Sequence, residues 1–216
     1  MSLEAVIKAF RRSGPAGGDD GVLQTNEEGD LFVAQGNAAP YTEITRRGAT
    51  FNAMSAAAAP LVAKPTTVCI FELYNNTEDR VMEIQDLFLF HLLYTAALHN
   101  QSLWACVVGE KAAPSLAASI TIGSQSGEPP VTATAASPVV PGAATTVIAN
   151  GWRPWGFGQP IISATTLPGE AFSVPVDGKL LVPPRRSLAI SVVDSLATGS
   201  SVQVGASWAL RKMAMG

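Results

Sequence analysis

The sequence predicts an all-β domain that follows an extended N-terminal arm. After about residue 60, short runs of β-branched and aromatic residues alternate with turn signals rich in Gly, Pro, Asn and Asp. Between residues 19 and 60, no hydrophobic period is sustained. Many short strands at near-regular spacing are typical of two packed sheets. We therefore expect residues 61–216 to form a jelly-roll-like β-sandwich and residues 1–60 to form the arm.

Composition places the individual strands of this domain. Runs rich in Val, Ile, Thr and aromatic residues favour pleated, half-buried backbone. Residues 92–98 fit either a helix or a buried strand, and their neighbours favour strand. The predicted strands are 67–74, 80–90, 92–98, 102–108, 119–122, 131–134, 145–148, 172–174, 179–182, 187–193 and 201–210.

One aromatic segment, residues 151–160, interrupts this pattern. Its sequence, GWRPWGFGQP, repeats Gly and Pro, which break both helices and strands, so we expect an irregular loop. Its three aromatic rings and its arginine suit contact with another subunit. They also suit closure of the open end of the sandwich or stacking on a sugar, in that order of preference. The predicted contact residues are Trp152, Arg153, Trp155 and Phe157.

The arm is predicted to begin with a short amphipathic helix over about residues 2–12. Ser2 is a suitable N-cap, and the apolar residues that follow it recur at helical spacing. A helix this short is marginal in water, so it needs a surface to pack on. Residues 13–18, SGPAGG, predict a flexible hinge after it. The apolar residues of the helix are Leu3, Val6, Ile7 and Phe10.

The rest of the arm combines a polar background with isolated apolar residues. A segment of this length without regular structure is uncommon inside a compact domain, and spaced apolar side chains are suited to filling pockets on a partner. The alternative is a flexible tail with fragments of strand. The residues of the arm predicted to contact a partner are Leu3, Ile7, Phe10, Arg11, Arg12, Phe32, Tyr41, Arg46, Arg47 and Phe51.

The charge composition of the chain limits the classes of partner that it can bind. Of the 216 residues, 14% are charged, against about a quarter in an ordinary soluble protein, which favours a surface buried against other chains. The net charge is −3, and the pairs Arg11–Arg12, Arg46–Arg47 and Arg185–Arg186 form no basic block. Because nucleic-acid binders carry a basic excess or stripe, we expect no nucleic-acid partner.

The apolar segments are too short to predict a membrane protein. The best candidate, residues 87–98, falls well below the roughly 20 apolar residues that a spanning helix needs. The N-terminus carries Glu4 and Lys8 within its apolar stretch and lacks the features of a secretory signal. We therefore expect no membrane association and synthesis in a cytoplasm.

No catalytic or metal-binding motif is complete. His91 and His99 are eight residues apart, but no third ligand stands at a metal-site spacing, so both are expected in the core or at a subunit interface. The segment Gly123–Gly127 has Gln125 where a hydrolase elbow needs serine. Residues 156–158, GFG, lack the final glycine of a dinucleotide loop. The sequence therefore predicts no catalytic residue, no cofactor and no metal, and a protein that is not an enzyme.

The other reactive side chains are expected to be structural. Carboxylates between Glu72 and Asp86 surround a predicted turn, where solvated charges are common. Cys69 and Cys106 lie in apolar, strand-like runs and are expected to be two buried free thiols. A disulfide between them is the alternative.

Several segments resemble the decoration, or cement, proteins of tailed-bacteriophage heads. The likeness covers parts of the C-terminal half, at residues 168–172 (PGEAF), 175–184 (PVDGKLLVPP) and 187–190 (SLAI). Residues 39–48 of the arm (APYTEITRRG) are similar to linker segments in such particles.

This resemblance implies a β-sandwich module that sits as a homotrimer on the capsid exterior. The implied partners are the major capsid protein and further copies of this chain, and the implied location is the virion after synthesis in a host cytoplasm. Three linked arms for each trimer would raise the effective concentration of one another, which suits a clamp. The alternatives are a shell-forming capsid protein, or a head fibre or attachment module that binds glycans through Trp152, Trp155 and Phe157.

Overall fold

The computed structural model of this protein describes residues 42, 44–45, 47–93, 100–116, 120–143, 151–157, 171–194 and 200–212. The predicted helix at 2–12, the hinge at 13–18 and the predicted strand at 145–148 lie outside these residues. The described strands are β1 Thr50–Met54, β2 Phe71–Asn75, β3 Arg80–Leu93, β4 Gln101–Val108, β5 Thr121–Ser124, β6 Val131–Thr132, β7 Val139–Ala143, β8 Arg153–Phe157, β9 Ala171–Pro175, β10 Leu181–Val182, β11 Ser187–Asp194 and β12 Ser201–Lys212.

These strands form two antiparallel sheets, which confirms the all-β prediction. The larger sheet has seven strands in the order β10-β3-β12-β1-β5-β6, with β9 also paired to β3. The smaller sheet has the order β7-β2-β11-β4-β8. In the described part of the chain, no helix has the length and apolar character needed to cross a bilayer.

The two sheets pack face to face over one apolar core. Alternate residues of each strand point to the same face of its sheet, so every second side chain of β12 from Val202 to Leu210 reaches this core. Trp208 is its largest fully buried side chain. Phe71, Leu103 and Ile190 enter the core from the five-stranded sheet.

The order of pairing is nested. The first strand pairs with the last, β1 with β12, and the next pair inward is β2 with β11. Further inward, β3 pairs with β9 and β4 pairs with β8. The β3–β12 and β4–β11 pairs join these units into two sheets. The segment between β4 and β8 supplies β5 and β6 beside β1, and β7 beside β2.

A β-bulge at Gln85 explains the mixed apolar pattern of residues 80–90. Ile84 pairs with Trp208 and Asp86 with Ser207, so Gln85 is an extra residue on β3. Its carbonyl oxygen accepts hydrogen bonds from the amides of Val176 and Asp177, between β9 and β10. The extra residue shifts the alternation by one position, and core-facing residues on both sides of it stay buried.

The sheet begins earlier than predicted. Thr50–Met54 is an interior strand between β12 and β5, which corrects the domain boundary placed at residue 60. Phe51, predicted to lie on the arm, packs against the core with its ring centroid 6.2 Å from that of Trp208. Residues 55–61 continue from one sheet to the other, through a bridge of Ala58 to Val202 and one of Leu61 to Val193. A five-residue strand is too short for its alternation to stand out in the sequence.

Candidate functional site

The segment predicted to be an irregular loop contains a strand, and this prediction was wrong for residues 153–157. β8 pairs with β4 and is the last strand in the order of the five-stranded sheet. Pro154 is tolerated because an edge strand does not need every amide for pairing. A register shift beside Trp104 lets β8 accommodate its irregular sequence.

Trp155 and Gly156 bring the end of β8 close to the opposite sheet. Trp155 is half-buried and packs against the core. A β-carbon at Gly156 would lie 2.5 Å from Cγ2 of Val174 on β9, so only glycine permits this approach. The guanidinium of Arg153 lies 4.3 Å from the Trp155 ring centroid, in a cation–π contact. Trp155 therefore contributes part of its ring to the core.

Trp152 faces a different environment. It is buried on the outer face of the five-stranded sheet beside Cys69 and Cys106, and its indole Nε1 donates a 2.8 Å hydrogen bond to the carbonyl oxygen of Thr66. Trp152 therefore holds the segment that leads into β2 against this face. Phe157, at the end of β8, is 74% exposed. The four predicted residues do not form a single patch, and two of the three rings expected to stack on a glycan are wholly or partly buried.

Of the ten predicted arm residues, the structure describes two. Arg47 is exposed in the turn before β1, where the amide of Gly48 donates to the carbonyl oxygen of Thr45. Phe51 is part of the core-facing surface of β1. The other eight, Leu3, Ile7, Phe10, Arg11, Arg12, Phe32, Tyr41 and Arg46, lie outside the described residues.

The cysteine and histidine side chains that the structure describes are buried. Cys69 and Cys106 are both buried and are not joined by a disulfide, which confirms the prediction of two buried thiols. Burial, together with the neighbouring Cys69, raises the pKa of Cys106 to about 12. His91 is buried on β3 and His99 lies outside the described residues. Within the described ranges, no group of three or more His, Cys, Asp or Glu side chains is placed to hold a metal ion.

Glu72 departs from the expectation of solvated carboxylates. Its neighbours Phe71 and Leu73 face the core, so Glu72 points to the outer face of the five-stranded sheet, where it is fully buried. Lys111, from the segment after β4, forms an ion pair with it at 2.8 Å. The sequence carried no signal for this pair because its members are far apart along the chain.

An apolar groove on the outer face of the seven-stranded sheet was missed entirely by sequence reasoning. It has a volume of about 480 Å³ and crosses four strands. Its lining includes Met54 of β1, Phe88 and Phe90 of β3, Ala171 and Ser173 of β9, and Gln203 of β12. The signal in the sequence was the unbroken apolar run of residues 87–90 (LFLF) in β3, which supplies apolar side chains to both faces of the sheet.

Comparison with known proteins yields no matching family model, no matching curated protein and no matching solved structure. The geometry of the described residues is therefore the basis for a functional proposal.

Proposed function

We propose that this protein is a non-enzymatic structural component of a virus particle. Its first candidate role is that of a capsid decoration protein, which binds the major capsid protein through its N-terminal arm and forms a homotrimer through its β-domain on the capsid exterior. The observation that carries the proposal is the nested strand pairing, in which β1, β2, β3 and β4 pair with β12, β11, β9 and β8.

This nesting supports a jelly-roll arrangement of eight strands. A long antiparallel hairpin that is folded over on itself yields two four-stranded sheets, here β1-β12-β3-β9 and β2-β11-β4-β8. Jelly rolls of this kind are common in viral capsid proteins, although lectin and cupin domains also use them. Of the remaining strands, β5 and β6 extend the first sheet beyond β1, and β7 extends the second sheet beyond β2. β10 pairs with β3 next to the part of β3 that pairs with β9.

The surface composition supports assembly with other chains. Only 14% of the residues are charged, and large apolar side chains stand out from the surface. Val62 is 72% exposed and Val131 is 65% exposed, and Phe157 of β8 is also exposed. Apolar residues of this size at a surface gain free energy when a neighbouring chain covers them.

Two measurements test the decoration role. The mass of the purified chain in solution gives its oligomeric state, and we expect a trimer. Its copy number in the particle with which it co-purifies gives its stoichiometry relative to the shell protein. We expect a fixed ratio, with fewer copies of this chain than of the shell protein. The variant Phe157→Ser tests whether the exposed side chain of β8 contributes to the oligomer. Thr121→Ser, at another exposed strand position, is its control.

A shell-forming capsid protein is the second candidate, and the same nested pairing favours it. Expression of the chain alone separates the two roles. Closed shells formed without any other protein would assign the shell role, whereas soluble oligomers that bind preformed shells would assign decoration. A chain that neither assembles nor associates with any particle would contradict both.

A further inference from the structure

The groove on the seven-stranded sheet is built from side chains that point away from the core. Leu87 and Leu89 face the core, so Phe88 and Phe90 lie on the opposite face of β3. Gly205 of β12 lies beneath Phe88: a β-carbon there would collide with the Phe88 ring and with the carbonyl oxygen of Ala53. Phe88 therefore packs directly on the strand backbone, which leaves a shallow apolar trough beside it.

The corresponding face of the five-stranded sheet is covered by the chain itself. Trp152 is held there by its hydrogen bond to Thr66, and Lys111 reaches the buried Glu72. Lys64 lies over the ring of Trp104, 5.9 Å from its centroid. In the residues that the structure describes, the groove has no such cover: Met54 at its rim is 36% exposed, and Ser173 is also exposed. The two outer faces of the domain therefore differ in how completely the described residues cover them.

The chain contains a segment long enough to supply the missing cover. Residues 1–41 precede the first described residue, and β1 leads from Thr50 directly to Met54 at the groove. Four residues of strand span about 14 Å. A chain of about 30 residues in random-coil form has a root-mean-square end-to-end distance of about 30 Å, so the connection is long enough for the first ten residues to reach the groove of their own molecule. A tether of this length also gives them a high effective concentration there.

The chemistry of this segment matches the groove. Residues 3–10 present Leu3, Val6, Ile7 and Phe10, and the pair Arg11–Arg12 follows at once. On β3, Asp86 stands two residues before Phe88 on the same face, where its carboxylate accepts a 2.9 Å hydrogen bond from Oγ of Ser207. An apolar segment in the trough would therefore place its following arginines near a carboxylate.

We propose that residues 3–10 of this chain bind in the groove between β1, β12, β3 and β9 of the same molecule. Phe10 lies toward the Phe88 end of the groove, and Arg11 or Arg12 lies toward Asp86. The contact keeps the start of the arm bound to its own domain until a partner surface competes for the same apolar side chains. This inference does not depend on a virion role, because the purified chain alone is sufficient to test it.

Photo-crosslinking of the full-length protein tests the proposal. The change Phe10→benzoylphenylalanine keeps an apolar aromatic anchor and adds a photoreactive ketone. After irradiation of dilute protein, we expect a product with the mass of one chain, in which peptides of β3, β9 or β12 that line the groove are joined to the N-terminal peptide.

A charge in the groove provides the specificity control. Adding Ser173→Glu places a carboxylate among apolar groups and is expected to lower the crosslinked fraction about tenfold. Thr121→Glu, at an exposed position of β5 in the same sheet, is the matched control and is expected to leave the fraction unchanged. Thermal unfolding of both variants verifies that each is folded.

Three results would overturn the proposal. A product with the mass of two chains, in which the N-terminal peptide of one is joined to groove peptides of the other, would show that the groove binds the arm of a second copy. Crosslinks that map outside the groove would remove the groove as the binding site. Equal losses from Ser173→Glu and Thr121→Glu would show that the contact does not depend on the apolar lining.

Discussion

Lys111 Nζ lies 2.8 Å from Oε1 of Glu72 and 3.0 Å from Oε2, and the Glu72 side chain is fully buried on the outer face of the five-stranded sheet. Lys111 belongs to the segment that runs from β4 toward β5, whereas Glu72 is the second residue of β2. This pair therefore fastens a long connection to the sheet that it crosses. Leu116, in the same connection, bridges to Gly142 on β7.

Removal of the lysine should destabilise the fold. Lys111→Ala removes a cation that contacts a buried carboxylate, and we expect the free energy of unfolding to fall by about 3 kcal/mol. Urea denaturation measures the loss. Lys179→Ala, at an exposed lysine, is the matched control and should change the free energy by less than about 0.5 kcal/mol. Similar effects from the two variants would show that the ion pair contributes little.

Gly156 should tolerate no larger side chain. Gly156→Ala places a β-carbon 2.5 Å from Cγ2 of Val174, and we expect this overpacking to cost about 1–3 kcal/mol of unfolding free energy. Gly109→Ala is the control, since a β-carbon there meets nothing within 4 Å. The double variant Gly156→Ala with Val174→Ala should recover part of the loss. If it recovers none, the contact between β8 and β9 is not the cause.

Cys106 should make stability depend on alkaline pH. Its pKa is raised from 9.0 to about 12 in the folded protein, so above pH 9 the unfolded chain releases a proton that the folded chain retains. The unfolded state then binds fewer protons, and stability falls as the pH rises between about 9 and 12, by up to about 1.4 kcal/mol for each pH unit. Denaturation at several pH values measures this slope.

The variant Cys106→Ala isolates the contribution of this thiol. Its absolute stability differs for packing reasons, but its decline above pH 9 should be shallower than that of the wild-type protein. Identical slopes in the two proteins would assign the alkaline decline to other groups.

Asn75 should be intolerant of replacement by aspartate. The buried Asn75 side chain donates through Nδ2 to the carbonyl oxygens of Arg80 and Val182, both at 2.8 Å, and accepts from Thr77 through Oδ1. Asn75→Asp exchanges both donors for a buried carboxylate oxygen that faces two carbonyls, and we expect a loss of about 3 kcal/mol of unfolding free energy.

The adjacent Asn76 provides the control for this substitution. Asn76 is half-buried, and its Oδ1 already accepts a hydrogen bond from Arg185 at 3.0 Å. Asn76→Asp strengthens that contact while it loses two bonds of 3.3 Å, so its net effect should stay within about 0.5 kcal/mol. Thermal unfolding of the two variants compares them directly.

The sequence by itself determined the all-β class and most of the strands in the C-terminal half. These features follow from local patterns: β-branched alternation and turn residues act over a few neighbours. The burial of Cys69 and Cys106 was also predictable, because a continuous apolar run is typical of a strand that is buried on both faces.

The tertiary structure alone decided the features that depend on distant residues. The strand at 50–54 is held by β12 and β5, and the strand at 153–157 is held by β4, so neither is visible from its own composition. The burial of Glu72 depends on Lys111, and the approach of β8 to β9 depends on Gly156 facing Val174.

The segment around Trp152 and Trp155 shows most clearly which features the sequence determines and which the tertiary structure determines. Its aromatic composition marked it as a contact segment, but strand alternation sends neighbouring side chains to opposite faces of a sheet. Trp152 therefore covers the outer face, Trp155 packs against the core and Phe157 remains exposed. Sequence determined which side chains this segment carries, and only the pairing of β8 with β4 decided which surface each of them meets.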